Sequence, residues 1–128
     1  MSEGKQERPA VLIIDDEEMI RDLIAATLEE TGLDFLKAAD GAEAREIFAG
    51  NGPRIRIVLL DLSMPDTSAS ELYDDLMRSG TDARFVLMSG YGEDESRARF
   101  GRDGIAAFLQ KPFRVDTIVK LVGDLAEG

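Results

Sequence analysis

Ile57-Val58-Leu59-Leu60-Asp61-Leu62-Ser63-Met64-Pro65 is the stretch whose reading decides the architecture. It opens as an apolar run rich in branched side chains, the pattern of a strand covered on both faces of a parallel sheet. The run stops on a carboxylate, and Pro65 opposes further strand. Asp61 is therefore expected at the carboxyl end of a central strand, the edge of an open α/β sheet where ligands and chemistry gather. By itself Asp61 reads equally well as a residue capping the next loop. The neighbouring segments decide between the two.

On the amino-terminal side, residues 1–9 read as a flexible polar tail ending in Pro9. Ala10–Ile14 repeats the buried-strand pattern and runs into Asp15, Asp16, Glu17 and Glu18. A helix follows over Glu17–Thr31, with Met19, Ile20, Leu23, Ile24, Thr27 and Leu28 as its apolar face and Gly32 as its stop. Asp34–Ala38 is a second strand, and Asp40-Gly41 turns the chain into a helix reaching Ala49. Gly50-Asn51-Gly52-Pro53 is a turn signal before the third strand, Arg56–Leu60.

Beyond Asp61 the alternation continues. A helix is expected over Ala69–Arg78, a strand over Ala83–Met88, a polar helix over Glu93–Phe100 and a strand over Ile105–Gln110. The last helix spans Val115–Leu125, with Val115, Ile118, Val119, Val122 and Leu125 as its buried stripe. Alternation of this kind, without repeats or an internal linker, predicts one domain over residues 10–126. It is an α/β doubly wound parallel sheet with helices on both faces.

Composition narrows the chemistry. Hydrophobic residues make up 44% and charged residues 32% of the 128 residues, which suits a soluble globular domain. No apolar run is long enough to span a bilayer and no signal-peptide core is present, so a cytoplasmic location without membrane contact is expected. The absence of Cys excludes disulfides, thiolate metal sites and cysteine nucleophiles. The absence of His removes the commonest general base and any Ser-His-Asp triad. A formal charge of −11 argues against direct nucleic-acid binding and suits a site that collects a hard cation.

The strand ends then converge. In a parallel sheet Asp15 and Asp16, Asp61, Ser89 and Lys111 share one edge. Three carboxylates in one cleft repel each other and need a counterion. Oxygen ligands without His or Cys select Mg²⁺, Mn²⁺ or Ca²⁺ rather than zinc. A carboxylate can attack phosphorus to give an acyl phosphate, with a metal and Lys111 offsetting charge on the phosphoryl oxygens.

These residues resemble the receiver domain of two-component response regulators. The likeness rests on Asp15-Asp16 after Val-Leu-Ile-Ile, Asp61 in Leu-Leu-Asp-Leu-Ser-Met-Pro, Met-Ser89-Gly-Tyr and Phe-Leu-Gln-Lys111-Pro-Phe, and it covers Pro9 to Leu125. It implies a flavodoxin-like fold with strand order 2-1-3-4-5 and five helices. It also implies a phosphorylation-dependent switch that accepts a phosphoryl group onto Asp61 from a histidine kinase or histidine phosphotransfer protein. Mg²⁺, or Mn²⁺ in its place, would be held by Asp16, Asp61 and the Ser63 backbone carbonyl, with Asp15 acting through water. Lys111 would pair with the phosphoryl group and join Pro112 through a cis peptide bond. Ser89 and Phe108 would be the switch residues, and Ser63 and Tyr91 would tune phosphoryl lifetime. Output would pass through the face made by the fourth helix, the fifth strand and the last helix to a protein partner, from a monomer or weak dimer. The wording fits both free-standing receivers and those within hybrid sensor kinases or larger regulators.

Some positions depart from the family pattern. Asp66 and Ala69 stand where glycines are usual, so the loop after Pro65 is expected to differ in shape. Phe108 lacks the hydroxyl of the alternative Tyr, so any switch there works through packing. Two other functions compete with this reading: an interaction module that signals without phosphorylation, and an aspartyl-phosphate phosphatase. The phosphatase needs a second Asp two residues after the nucleophile, where this chain has Ser63, so turnover is not expected. Arg97, Arg99, Arg102 and Arg114 read either as a solvated helix face or as a basic patch that docks an acidic partner.

Overall fold

The computed structural model describes residues 8–127, so most of the expected 1–9 tail lies outside the described residues. Five strands, β1 (Ala10–Ile14), β2 (Asp34–Ala38), β3 (Ile55–Asp61), β4 (Arg84–Ser89) and β5 (Ile105–Gln110), alternate with five helices. These are α1 (Glu18–Thr31), α2 (Gly41–Asn51), α3 (Ala69–Met77), α4 (Glu93–Phe100) and α5 (Val115–Glu127). All strand pairs are parallel, in the expected order β2-β1-β3-β4-β5. No helix among the described residues is long and apolar enough to cross a membrane.

Side chains alternate across the sheet, because successive residues of a strand point to opposite faces. Leu12, Ile14, Val58, Leu60, Phe85 and Leu87 meet Ala44, Phe48, Leu72, Tyr73, Leu76 and Phe100 on the side of α2, α3 and α4. Val11, Ile13, Ile57, Leu59, Val86, Met88 and Leu109 meet Ile24, Ala25, Leu28, Ile118 and Val122 on the side of α1 and α5. Continuous apolar runs in β1, β3 and β4 follow from this double coverage.

Several boundaries and faces differ from the sequence reading. The helix expected to end at Ala49 runs through Gly50 and Asn51 into a 3-10 turn at Gly52–Arg54. Asn51 there donates its side-chain amide to the Ile47 carbonyl, and Pro53 fits the start of the tight turn. On α1, Met19 is 84% exposed and Leu23 38% exposed. Both lie off the buried face of the helix, which is carried by Ile20, Ile24 and Leu28. On α5, Val115 and Val119 are likewise exposed, while Ile118 and Val122 are buried and Leu121 and Leu125 pack beside them.

The polar α4 forms without an apolar stripe. Its first turn is acidic and its last turn basic, matching the helix dipole. Arg97–Glu93 and Arg99–Glu95 bridge successive turns, and Gly101 closes the helix at φ 69. Only Ser96 and Phe100 of this helix are buried. Its far end is fastened to α3, where the Ser70 hydroxyl donates to the Phe100 carbonyl and Asp74 pairs with Arg102.

Candidate functional site

Two strand ends deliver the acidic cluster. Asp15 and Asp16 follow β1, and Asp61 closes β3. One carboxylate oxygen from each lies within 4.8 Å of the others. Asp15 and Asp61 are buried, whereas Asp16 is exposed. Lys111, just past β5, points its ammonium into the same space, 2.7 Å from Asp15 Oδ2 and 3.5 Å from Asp61 Oδ2. The Lys111–Pro112 peptide bond is cis. The Lys111 backbone N–H donates to the Ser89 carbonyl, which registers this segment against β4.

Hydrogen bonds orient each carboxylate. Asp61 Oδ1 accepts from the Ser63 N–H at 3.1 Å, leaving Oδ2 toward Lys111. Asp15 Oδ1 accepts from the Glu17 N–H at 2.9 Å. Asp15 Oδ2 is buried, and the Lys111 ammonium 2.7 Å away is the cation that compensates it.

Electrostatics follow from this crowding. Burial, then the charge of Asp15, push the Asp61 carboxyl up to about 6, against the opposing pull of the Ser63 N–H and Lys111. Burial works against the Lys111 ammonium. The contact with Asp15 and the charges of Asp61, Asp15 and Glu17 outweigh it, so its pKa stands above the ordinary lysine value. The carboxylates flank an open cleft of about 400 Å³, lined also by Glu17, Ser63, Gly90, Tyr91 and Lys111.

The other expected site residues are placed as follows. Ser89 is fully buried at the end of β4, and its Oγ accepts the Tyr91 N–H at 3.0 Å. It does not line the cleft. Phe108, on β5 opposite Leu87, is half-buried against the cluster under α2, α3 and α4. Tyr91 lines the cleft and is 41% exposed. Asp66 takes left-handed geometry at φ 59, as the glycine usual there would, while Ala69 is an ordinary buried first residue of α3. Thr67 accepts the Gly41 N–H through its hydroxyl and fastens this loop to the start of α2.

Two findings alter the sequence picture. Glu17, not singled out as a site residue, lies 3.4 Å from the Lys111 ammonium. It caps α1 with extended backbone, which keeps its side chain near the sheet edge. Its position directly after the acidic pair was the available signal. The basic patch is not a free surface charge: Arg97, Arg99, Arg102 and Arg114 each pair with a carboxylate, Glu93, Glu95, Asp74 and Asp116 respectively.

A larger cavity, about 760 Å³, lies at the opposite, amino-terminal edge of the sheet, lined by Arg45, Phe48, Arg56, Leu76 and Arg78 among others. None of the clustered carboxylates reaches it.

Comparison with known proteins agrees with this geometry. Residues 11–123 match the family model of the response regulator receiver domain. The sensor kinase CckA of Brucella abortus is 32% identical over 117 residues, 91% of this chain and 12% of that protein. The phosphate regulon regulatory protein PhoB of Pseudomonas aeruginosa is 31% identical over 105 residues, 80% of this chain and 45% of that protein. The chemotaxis protein CheY of Halobacterium salinarum is 25% identical over 115 residues, 90% of this chain and 94% of that protein. This chain thus spans less than half of the first two relatives and nearly all of the third. Among solved structures, the receiver domain of NtrX from Brucella abortus superposes with a TM-score of 0.80 at 28% identity, covering 91% of this chain and 98% of that one. Vibrio cholerae CheY4 gives 0.83 at 23% identity, covering 92% and 98%.

Proposed function

Because this chain belongs to the response regulator receiver domain family, we propose that it is a switch in which Asp61 takes a phosphoryl group from the phosphohistidine of a histidine kinase or phosphotransfer protein. The observation that carries this reading is the setting of Asp61. It is a buried carboxylate at a strand end, with one oxygen held by the Ser63 N–H and the other facing Lys111, open to a cleft that Asp16 shares. Above about pH 6 it is an anion short of solvation, which is the state needed for attack.

In the transfer, an Asp61 oxygen forms a bond to phosphorus as the phosphorus–nitrogen bond of the donor breaks, and the electron pair returns to the imidazole. Lys111 faces the charge on the phosphoryl oxygens. The Ser89 hydroxyl would release the Tyr91 N–H and donate to a phosphoryl oxygen.

The donor set also fits a hard divalent cation. It is all oxygen and compact, with one carboxylate oxygen from each of Asp15, Asp16 and Asp61 within 4.8 Å of the others. Asp16, Asp61 and the Ser63 carbonyl would hold Mg²⁺ or Mn²⁺, with Asp15 acting through water. When bound, the ion draws negative charge off the phosphoryl group.

Partner surfaces follow from exposed apolar groups. Met19 and Leu23 lie on the first turns of α1, beside Glu17 and the cleft, and suit the approach of a donor helix. Output is assigned to the face of α4, β5 and α5, where a groove of about 730 Å³ runs along Ala107, Leu121 and Leu125. Phe108 stands on β5 behind that face, so a change in its packing would reach it.

The test is intact-mass analysis after incubation with acetyl phosphate and Mg²⁺. Wild type is expected to gain one phosphoryl group and Asp61→Asn none. A phosphoryl group retained by Asp61→Asn, or mapped elsewhere by peptide analysis, overturns the assignment.

A further inference from the structure

Arg99 lies on α4, outside the carboxylate cleft. Its guanidinium carbon stands 4.1 Å from the centre of the Tyr91 ring. Glu95, one turn earlier, holds it there through two hydrogen bonds to Oε2, at 3.0 and 2.8 Å. The Tyr91 backbone is gripped on both sides: its N–H donates to Ser89 Oγ at 3.0 Å, and its carbonyl accepts from the buried Ser96 hydroxyl at 3.3 Å. Tyr91 lines both the cleft over Asp61 and a hydroxyl-rich recess of about 290 Å³ that includes Thr67, Ser70 and Arg99. The two backbone bonds fix the Tyr91 main chain, and the direction of its ring is left to side-chain contacts. A guanidinium over a tyrosine face is attracted by the ring quadrupole.

We infer that Arg99 is a positioning residue: from α4 it pins the Tyr91 ring as a wall of the cleft and so limits how readily water reaches a phosphoryl group on Asp61. This rests on the phosphoacceptor reading above. In the affected step a water oxygen bonds to phosphorus as the bond from phosphorus to the Asp61 oxygen breaks. The carboxylate keeps the electron pair, and both protons of the water leave on the released phosphate, as dihydrogen phosphate. The same contact links the site to α4. When the Ser89 hydroxyl turns to the phosphoryl group it gives up the Tyr91 N–H, and Arg99 and Ser96 are then the remaining holds on that residue.

The experiment uses Arg99→Gln, Arg99→Lys, Tyr91→Ala and the double variant Arg99→Gln/Tyr91→Ala. Each is phosphorylated with acetyl phosphate, desalted and followed by intact mass. Arg99→Gln is expected to shorten the acyl-phosphate lifetime about two- to five-fold, the population change an exposed cation–π contact supports. Arg99→Lys is expected to restore most of it, and Arg99→Gln to add nothing once Tyr91 is Ala. The chain has two Tyr and no Trp, so ¹³C-labelled tyrosine gives a resolvable Tyr91 ring signal in NMR. That signal is expected to move in Arg99→Gln while that of Tyr73 stays, a readout that needs no phosphorylation. The inference is overturned if Arg99→Gln keeps the wild-type lifetime while Tyr91→Ala changes it. It is equally overturned if the shortening persists in the Tyr91→Ala background, or if the Tyr91 ring signal does not move. Failure of wild type to form any acyl phosphate removes instead the reading of Asp61, and the ring signal then decides the pinning alone.

Discussion

Replacing Asp61 by Asn should stabilise the metal-free protein at neutral pH. Asn has the same shape, keeps an oxygen to accept the Ser63 N–H, and removes a negative charge crowded by Asp15 and Asp16. Burial and the charge of Asp15 push the Asp61 carboxyl up to about 6, from 3.8 for a free aspartate side chain. A raised carboxyl pKa contributes stability that is fully present below 3.8 and is lost as pH rises through about 6. The difference corresponds to about 3 kcal/mol at neutral pH and above. That is roughly 10 °C in melting temperature for a domain of this size. The assay is urea denaturation of wild type and Asp61→Asn in chelator, between pH 3.5 and 8. The gain should be largest at pH 7–8, halve as pH approaches 5 and vanish below 4. Added Mg²⁺ should narrow the gap by stabilising wild type alone. Equal stability at pH 7.5 in chelator, or a gain of the same size at pH 4, would refute the idea that burial and Asp15 strain this carboxylate.

Two further outcomes test the packing and an ion pair away from the cleft. A Cβ at Gly104 would overlap the Tyr73 hydroxyl and lie 2.8 Å from Tyr73 Cζ. Gly104→Ala should therefore cost about 2 kcal/mol in a thermal melt, and Tyr73→Phe in that background should recover part of it. Arg54 bonds Asp34 at 2.7 Å with both side chains mostly buried, and it lowers the Asp34 carboxyl below its usual value. Arg54→Met should cost about 1 kcal/mol at pH 7. A lowered carboxyl contributes above its unfolded value and is lost as pH falls through the folded one, so the deficit should fade in acid.

The doubly wound architecture was legible because β1, β3 and β4 carry apolar runs that end in Asp15, Asp61 and Ser89, and because such runs need helices on both sides. The convergence of Asp15, Asp16, Asp61 and Lys111 followed from topology alone, since parallel strands place their carboxyl ends together. Periodicity misled at the margin of the buried stripe: Met19, Leu23, Val115 and Val119 repeat at helical spacing, yet Ile20, Ile24, Ile118 and Val122 take the positions that face the sheet. Gly50 and Asn51 looked like a stop because turn residues are defined by preference, and here the helix carries through them. The pairing of Arg102 with Asp74 was out of reach, since it joins residues brought together only by the packing of α3 beside α4. The Arg97 and Arg99 pairs were open to reading at helical spacing. The hold of Arg99 on Tyr91 was not, because it depends on how the loop after β4 folds back.

At the carboxyl edge of the sheet Asp15, Asp16, Glu17 and Asp61 crowd the single ammonium of Lys111, on a chain whose formal charge is −11. A positively charged partner is drawn toward that edge before it touches, so that its approach is partly settled during diffusion. Small anionic phosphodonors meet the same field as a barrier, which salt lowers.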